Sequence, residues 1–149
     1  MAGISQVTQG GPKAFTPAVG VTVKGGQFVE LTDAGRLQPA GAASIRAIGV
    51  ALTDGIAPED VSTTATTNSL GRPVLVAVPV PTHVSVAYDA TEVYVTAAAA
   101  VKPGQRVICA ANGQVTPAGA GPAADQVVGI CTDPAGIAAN AVGIVRITL

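Results

Sequence analysis

Charged and large aromatic side chains are scarce in this chain of 149 residues. It has no Trp, two Phe and two Tyr, and only 11% of its residues are charged, against about 25% in ordinary soluble domains. The net charge of −1 excludes the electrostatic footprint of a nucleic-acid-binding protein, which meets phosphates with an excess of Lys and Arg. Low charge leaves two interpretations open: a solvent-facing surface rich in Thr and Ala, or a surface covered by other protein.

Long apolar runs are also missing. The longest unbroken apolar segments have about half a dozen residues, whereas a membrane-spanning helix needs about 18. The first residues, MAGISQVTQGGPK, have neither the basic start nor the apolar centre of a signal peptide. We therefore expect a soluble protein that is made in a cytoplasm and has no membrane partner.

Cysteine is limited to Cys109 and Cys131. Each lies among Val and Ile, and neither belongs to a CxxC motif or has a neighbouring His, so the pair does not predict a metal site. A reducing compartment disfavours a disulfide. We expect two buried thiols, no metal and no cofactor.

Helix-forming stretches are short because 18 Gly and 11 Pro interrupt the chain. What is abundant is small or β-branched: 28 Ala, 22 Val and 15 Thr. Val and Thr favour pleated strands. This composition predicts an all-β protein built in thin layers.

One phrase occurs twice. Residues 23–42 read VKGGQFVELTDAGRLQPAGA, and residues 101–120 read VKPGQRVICAANGQVTPAGA. After a further offset of two residues, AIGVALTD at 47–54 aligns with VVGICTD at 127–133. Lys, Gly, Gln, Gly and Pro keep one register, which indicates duplication of a supersecondary unit.

Each copy predicts the same local structure. A Lys-x-Gly-Gln turn precedes a strand, QFVEL or QRVIC, and a glycine-containing turn follows, TDAGR or AANGQ. A return strand ends at Pro. A final strand, AIGVAL or VVGICT, carries a Gly where a bulge or a close backbone approach is expected.

A near-continuous apolar run predicts a strand at 72–80, further segments predict strands at 82–88, 92–96 and 141–149, and the sequence at 61–71 is β-rich. The predicted fold is a compact all-β barrel or sandwich of short strands around the duplicated hairpin unit. We expect an extended N-terminal arm at 1–18 and a β domain at 19–149. Its two related units, at about 19–60 and 97–149, are joined by a strand-rich middle segment.

The N-terminal segment has two interpretations. It is a frayed terminus, or an arm that adds a strand to a neighbouring chain. In the second interpretation Ile4, Val7 and Phe15 are the partner-binding residues, with Phe15 the anchor at the root of the arm.

Catalytic patterns are weak. The single histidine, His83, lies in an alternating segment on the face opposite Val84 and is expected to face solvent. The only adjacent acids, Glu59 and Asp60, lie in a turn, and no G-x-S-x-G or phosphate-loop spacing is present. The hairpin tips, DAGR and ANGQ, also lack the lysine of a biotin or lipoyl carrier. We expect no enzymatic activity, with a small hydrolase using His83 or the acidic pair as the alternative.

The repeated motifs resemble the capsid cement, or head decoration, proteins of tailed bacteriophages. The matching pieces are residues 23–29, 35–40 and 48–51, repeated at 101–107, 113–118 and 128–131. The resemblance implies a virion protein that is often a homotrimer. It would bind the outer surface of the head and bridge neighbouring subunits of the major capsid protein.

Residues 61–96 do not match the pattern of that family. The alternative from the residues themselves is a surface-displayed adhesion module, for example one that binds carbohydrate. The four aromatic residues provide few rings on which a sugar could stack. These residues are Phe15, Phe28, Tyr88 and Tyr94.

Overall fold

The computed structural model describes residues 11–61, 66–67, 69–74 and 80–149. Fourteen short strands lie in these ranges: β1 Lys13–Phe15, β2 Thr22–Val23, β3 Phe28–Leu31, β4 Leu37–Pro39, β5 Ala47–Ala51, β6 Gly55–Ile56, β7 Thr66–Thr67, β8 Pro73–Val74, β9 Val84–Ala87, β10 Glu92–Thr96, β11 Arg106–Cys109, β12 Val115–Pro117, β13 Val127–Cys131 and β14 Val142–Ile147. The helical elements of these ranges are single 3-10 turns at Pro58–Asp60, Ala111–Gly113 and Ala124–Gln126. None of them has the length and apolarity to cross a bilayer.

Ten strands form two five-stranded antiparallel sheets, so the all-β prediction is confirmed. The first sheet has the order β1-β9-β5-β3-β4, and the second has the order β10-β14-β13-β11-β12. Two ribbons of two strands each, β2-β6 and β7-β8, complete the described pairings. The ladders between these described strands are antiparallel, as hairpin-connected strands of a sandwich are. Isolated parallel bridges join Pro17 to Leu37 and Ala97 to Val115.

The two sheets repeat each other in register. Val29 pairs with Pro39 on one side and Gly49 on the other. The second copy has Val107 between Pro117 and Gly129. The register shifts immediately after Val29 in the first copy and after Val107 in the second. The repeated phrase therefore encodes the same bulged three-stranded unit twice.

The outer strands extend this correspondence. β9 pairs with β5 as β14 pairs with β13, and β1 lies beside β9 as β10 lies beside β14. The segment predicted as a connection between the units thus supplies β9 to the first sheet and β10 to the second. Positive φ angles of 56° at Asp89 and 51° at Ala90 lie in the link between these two strands.

Parts of other predicted segments lie outside the described residues. The predicted strand at 72–80 overlaps β8, but residues 75–79 are not described. Of the segment 61–71, residues 62–65 and 68 are not described.

The turn before each copy explains the repeated glutamine. The Lys24 N–H donates to Gln27 Oε1 at 2.8 Å, and the Lys102 N–H donates to Gln105 Oε1 at 3.0 Å. The copies differ at the next position, where the Gly25 N–H donates to Asp54 Oδ1 at 2.8 Å. Pro103 has no N–H to donate. Its turn therefore lacks the equivalent bond.

The predicted hairpin turns are confirmed, and each has its glycine at positive φ. Gly35 has φ of 74° in the turn between β3 and β4. Asn112 and Gly113 have φ of 57° and 66° between β11 and β12. These backbone conformations match the twist of the flanking strands.

Two hydrophobic cores hold the sheets. The larger contains buried residues of both sheets: Phe28, Ala40, Val50, Ala87, Val93, Val95, Ala97, Val101, Val107, Cys109, Val115, Val128, Cys131, Ile137, Val145 and Ile147. The smaller belongs to the first unit and contains Val23, Val29, Leu37, Ala51, Val84 and Val86. The first sheet therefore buries side chains on both faces, since Phe28 and Val29 alternate along one strand but belong to different cores.

Candidate docking surface

Four residues of the first sheet form a row across its strands, here named the inner row: Ala40, Phe28, Val50 and Ala87. The Ala40 N–H donates to the Phe28 carbonyl at 2.9 Å, Phe28 is opposite Val50, and Val50 is opposite Ala87. All four are at most 2% exposed. They are the four fully buried residues that the first sheet, with Ala40 directly after β4, contributes to the larger core, and the half-buried Ala47 of β5 packs against it.

The second unit covers the edge of this row. The Gly113 N–H donates to the Ala40 carbonyl at 2.9 Å, and Gln27 Nε2 donates to the Asn112 carbonyl at 3.0 Å. A Cβ at Gly113 would lie 2.3 Å from the Phe28 carbonyl oxygen. Only glycine allows the backbones of the two units to approach so closely.

The equivalent row of the second sheet, here named the outer row, consists of Ala118, Arg106, Ile130 and Arg146. Its pairing is the same: the Ala118 N–H donates to the Arg106 carbonyl at 2.9 Å, and Ile130 is opposite both Arg106 and Arg146. Both arginines are exposed, and Ile130 and Ala118 are half-buried. The row that is a buried contact in the first unit is thus a surface in the second.

Among the residues that the structure describes, no ion pair neutralises the charges of the outer row. Arg36 forms a salt bridge with Glu59 at 2.7 Å, and Arg46 forms one with Asp33 at 2.8 Å. Within the described ranges, neither Arg106 nor Arg146 has a carboxylate at salt-bridge distance. Two cationic groups therefore lie on either side of an aliphatic side chain, separated by about 10 Å if each strand spacing is about 4.8 Å.

A shallow recess adjoins the outer row. Its volume is about 250 Å³, and its lining residues are Arg106, Ala124, Val127, Ile130 and Thr148. Three of its lining residues are aliphatic, and Arg106 adds a cationic side chain to the lining. This arrangement can accept an aliphatic side chain and a carboxylate together.

Apolar side chains continue along the same face. Tyr94 is opposite Ile144 and is 67% exposed, and Val142 is 63% exposed. Of the four aromatic residues, Phe28 is buried and Phe15 and Tyr88 are half-buried. Only Tyr94 therefore presents a mostly exposed ring.

The partner-binding residues predicted from the sequence are not brought together in the described structure. Phe15 lies in β1, opposite Val84, and its half-buried ring packs against the smaller core with Lys13 Nζ 5.4 Å from its centroid. Residues 13–15 of the predicted arm thus pair with the chain's own sheet. Ile4 and Val7 lie outside the described residues, and the partner-binding role of all three stays a prediction.

The residues considered for catalysis have other contacts. His83 is exposed just before β9, with its Nδ1 3.3 Å from Thr82 Oγ1. A hydrogen bond to its own backbone and the bond from Arg36 lower the pKa of Glu59, and Asp60 Oδ2 accepts from the Gly20 N–H at 2.6 Å. In the described part of the chain, no three His, Cys, Asp or Glu residues group as metal ligands would.

Both cysteines are buried and free, as predicted. Burial raises the pKa of Cys109 to about 12, and the nearby carboxylate of Glu30 adds to the effect. Cys109 therefore remains a thiol well above neutral pH, whereas nucleophilic or redox chemistry needs the thiolate. Cys109 acts as a small apolar side chain of the larger core.

The comparisons with known proteins identify a fold. No family model and no curated protein matches this chain. Among solved structures, it is similar to the head fiber gp8.5 N base of bacteriophage phi29, with a TM-score of 0.60 and 15% sequence identity. The match covers 92% of this chain and 94% of that chain. At this identity the likeness shows that the two chains share an all-β fold.

Proposed function

We propose that the chain is a structural protein of a phage virion. In this proposal it binds the outer surface of the capsid and stabilises it by bridging neighbouring major capsid protein subunits, as a homotrimer and without catalysis. The observation that carries the proposal is the fold shared with a phage head fiber base over almost the full length of both chains. The motifs that resemble head decoration proteins lie in both units of that shared fold.

The physical properties of the described structure support this role. The protein is a closely packed body of small residues, and the backbones of its two units approach closely at Gly113 and Phe28. Such a body provides a rigid spacer between partners. An exposed sheet face with apolar and cationic side chains provides a contact surface. Weak individual contacts are sufficient on a shell, because many sites are engaged simultaneously.

Purified protein should therefore bind expanded capsids of the virus that encodes it and raise their melting temperature. A protein that binds the folded shell but not its unfolded subunits stabilises the shell by mass action. The rise in melting temperature should therefore grow with protein concentration and then saturate. Co-sedimentation gives the number of bound copies, scanning calorimetry gives the melting temperature, and light scattering gives the oligomeric state. An unrelated β protein of similar size is the control. Absence of the chain from the capsid pellet at all concentrations would contradict the proposal.

A further inference from the structure

The internal duplication provides a comparison between a covered surface and an uncovered one. The inner row is apolar throughout and is buried by the second unit. At the same register positions, the outer row has arginine in place of Phe28 and of Ala87, with Ile130 retained in place of Val50. The inner row, which the second unit covers, thus has an equivalent on the second sheet, the outer row, with different side chains.

The chemistry of the outer row specifies what can cover it. Burying an unpaired guanidinium is unfavourable, so an occupant must supply acceptors, and a carboxylate matches arginine in charge and in geometry. Ile130 and the adjacent recess favour an aliphatic side chain between the charges. We propose that the outer row and its recess dock an acidic segment of the major capsid protein that carries an aliphatic residue beside its carboxylates. This inference rests on the proposed function.

A second copy of this chain fits the surface less well. The groups that cover the inner row, among them Asn112 and Gly113, are already bound to Gln27 and Ala40 of their own chain. They are not available to the outer row of another copy. In the outer row, arginines also stand at the positions equivalent to Phe28 and Ala87. The apolar side chains that form the contact in the first unit are therefore missing there.

The two arginines are not equivalent. Arg146 is opposite Glu92 in β10, on the same face of the sheet, so a carboxylate lies beside it although the two form no ion pair. Arg106 is opposite Ile130 rather than an acidic residue in the ladder, and it lines the recess. Arg106 should therefore contribute more to docking than Arg146.

The test is capsid binding by charge-reversed variants. We expect Arg106→Glu to weaken binding at least about tenfold and Arg146→Glu to weaken it less. Arg46→Glu, the same change of charge at an arginine outside the row, should stay within about twofold of the native chain. Raising the salt concentration should weaken binding of the native chain more than that of Arg106→Glu. Arg106→Gln repeats the test without adding a negative charge, and circular dichroism confirms that each variant is folded.

The outcomes separate this inference from the proposed function. If the native chain binds and both reversed variants bind equally well, the docking surface is wrong and the proposed function survives. If the native chain does not bind capsids, both are wrong. If Arg106→Glu changes the mass of the free protein in solution, the outer row contacts a second copy, which also overturns the inference.

Discussion

Replacing Phe28 by Ala should lower the free energy of unfolding by about 3–5 kcal/mol. Phe28 is fully buried and is the largest side chain that the first sheet contributes to the larger core. Removing its ring leaves a cavity between the two units. The cavity cannot close, because the backbones of the two units are already in contact at Gly113. Denaturant unfolding followed by circular dichroism measures the change.

The chain contains the matched control for this prediction. Arg106 occupies the same register position in the second sheet but is exposed. Arg106→Ala should change the free energy of unfolding by less than about 0.5 kcal/mol, as surface substitutions usually do. Equal losses of unfolding free energy in the two variants would contradict the assignment of the inner row as covered and the outer row as exposed.

Replacing Gly49 by Ala should cost about 3 kcal/mol or more, and the variant should fail to fold under conditions that the native chain tolerates. A Cβ at Gly49 would lie 2.1 Å from the Ala87 carbonyl oxygen and 2.9 Å from Val86 Cγ1. The first of these is a backbone atom of the neighbouring strand, so it cannot turn away as a flexible side chain could. Soluble yield and the midpoint of thermal unfolding measure the effect.

Glycines outside the bulge provide the controls. Gly41 and Gly119 are equivalent residues of the repeated phrase, and an added Cβ at either would have no heavy atom within 4 Å. Gly41→Ala and Gly119→Ala should leave the unfolding midpoint unchanged or slightly raised, because alanine restricts the unfolded chain. A native-like midpoint for Gly49→Ala would contradict the packing of β5 against β9.

The local structure of each unit could be predicted from the sequence because short-range chemistry determines it. The Asn112-Gly113 turn, the prolines that end β4 and β12, and Gly49 at the bulge each have the conformation their residue type favours. Burial of Cys109 and Cys131 followed from the Val and Ile residues around them. These features depend on neighbours a few residues apart.

The assignment of β9 and β10 to different sheets could not be predicted in this way. Both segments alternate apolar and polar residues, and only the four residues 88–91 separate them along the chain. Their partners, β5 and β14, lie far away in sequence, and alternation does not distinguish one partner from another. The choice depends on which core each strand completes.

The outer row was missed although the sequence contained its signal. Aligning QFVEL with QRVIC places Arg106 on Phe28, a change from a core residue to a charge within otherwise matching phrases. Its meaning depends on the structure, which shows that the equivalent face of one sheet is buried by the other unit.

A cryo-EM map of capsids incubated with the purified chain is the most direct test of the account. We expect ordered extra density on the outer surface that fits both five-stranded sheets, bridges neighbouring subunits and places Arg106 and Arg146 against the shell. Shells that remain bare at saturating protein, or a chain bound inside the shell, would contradict the central claim.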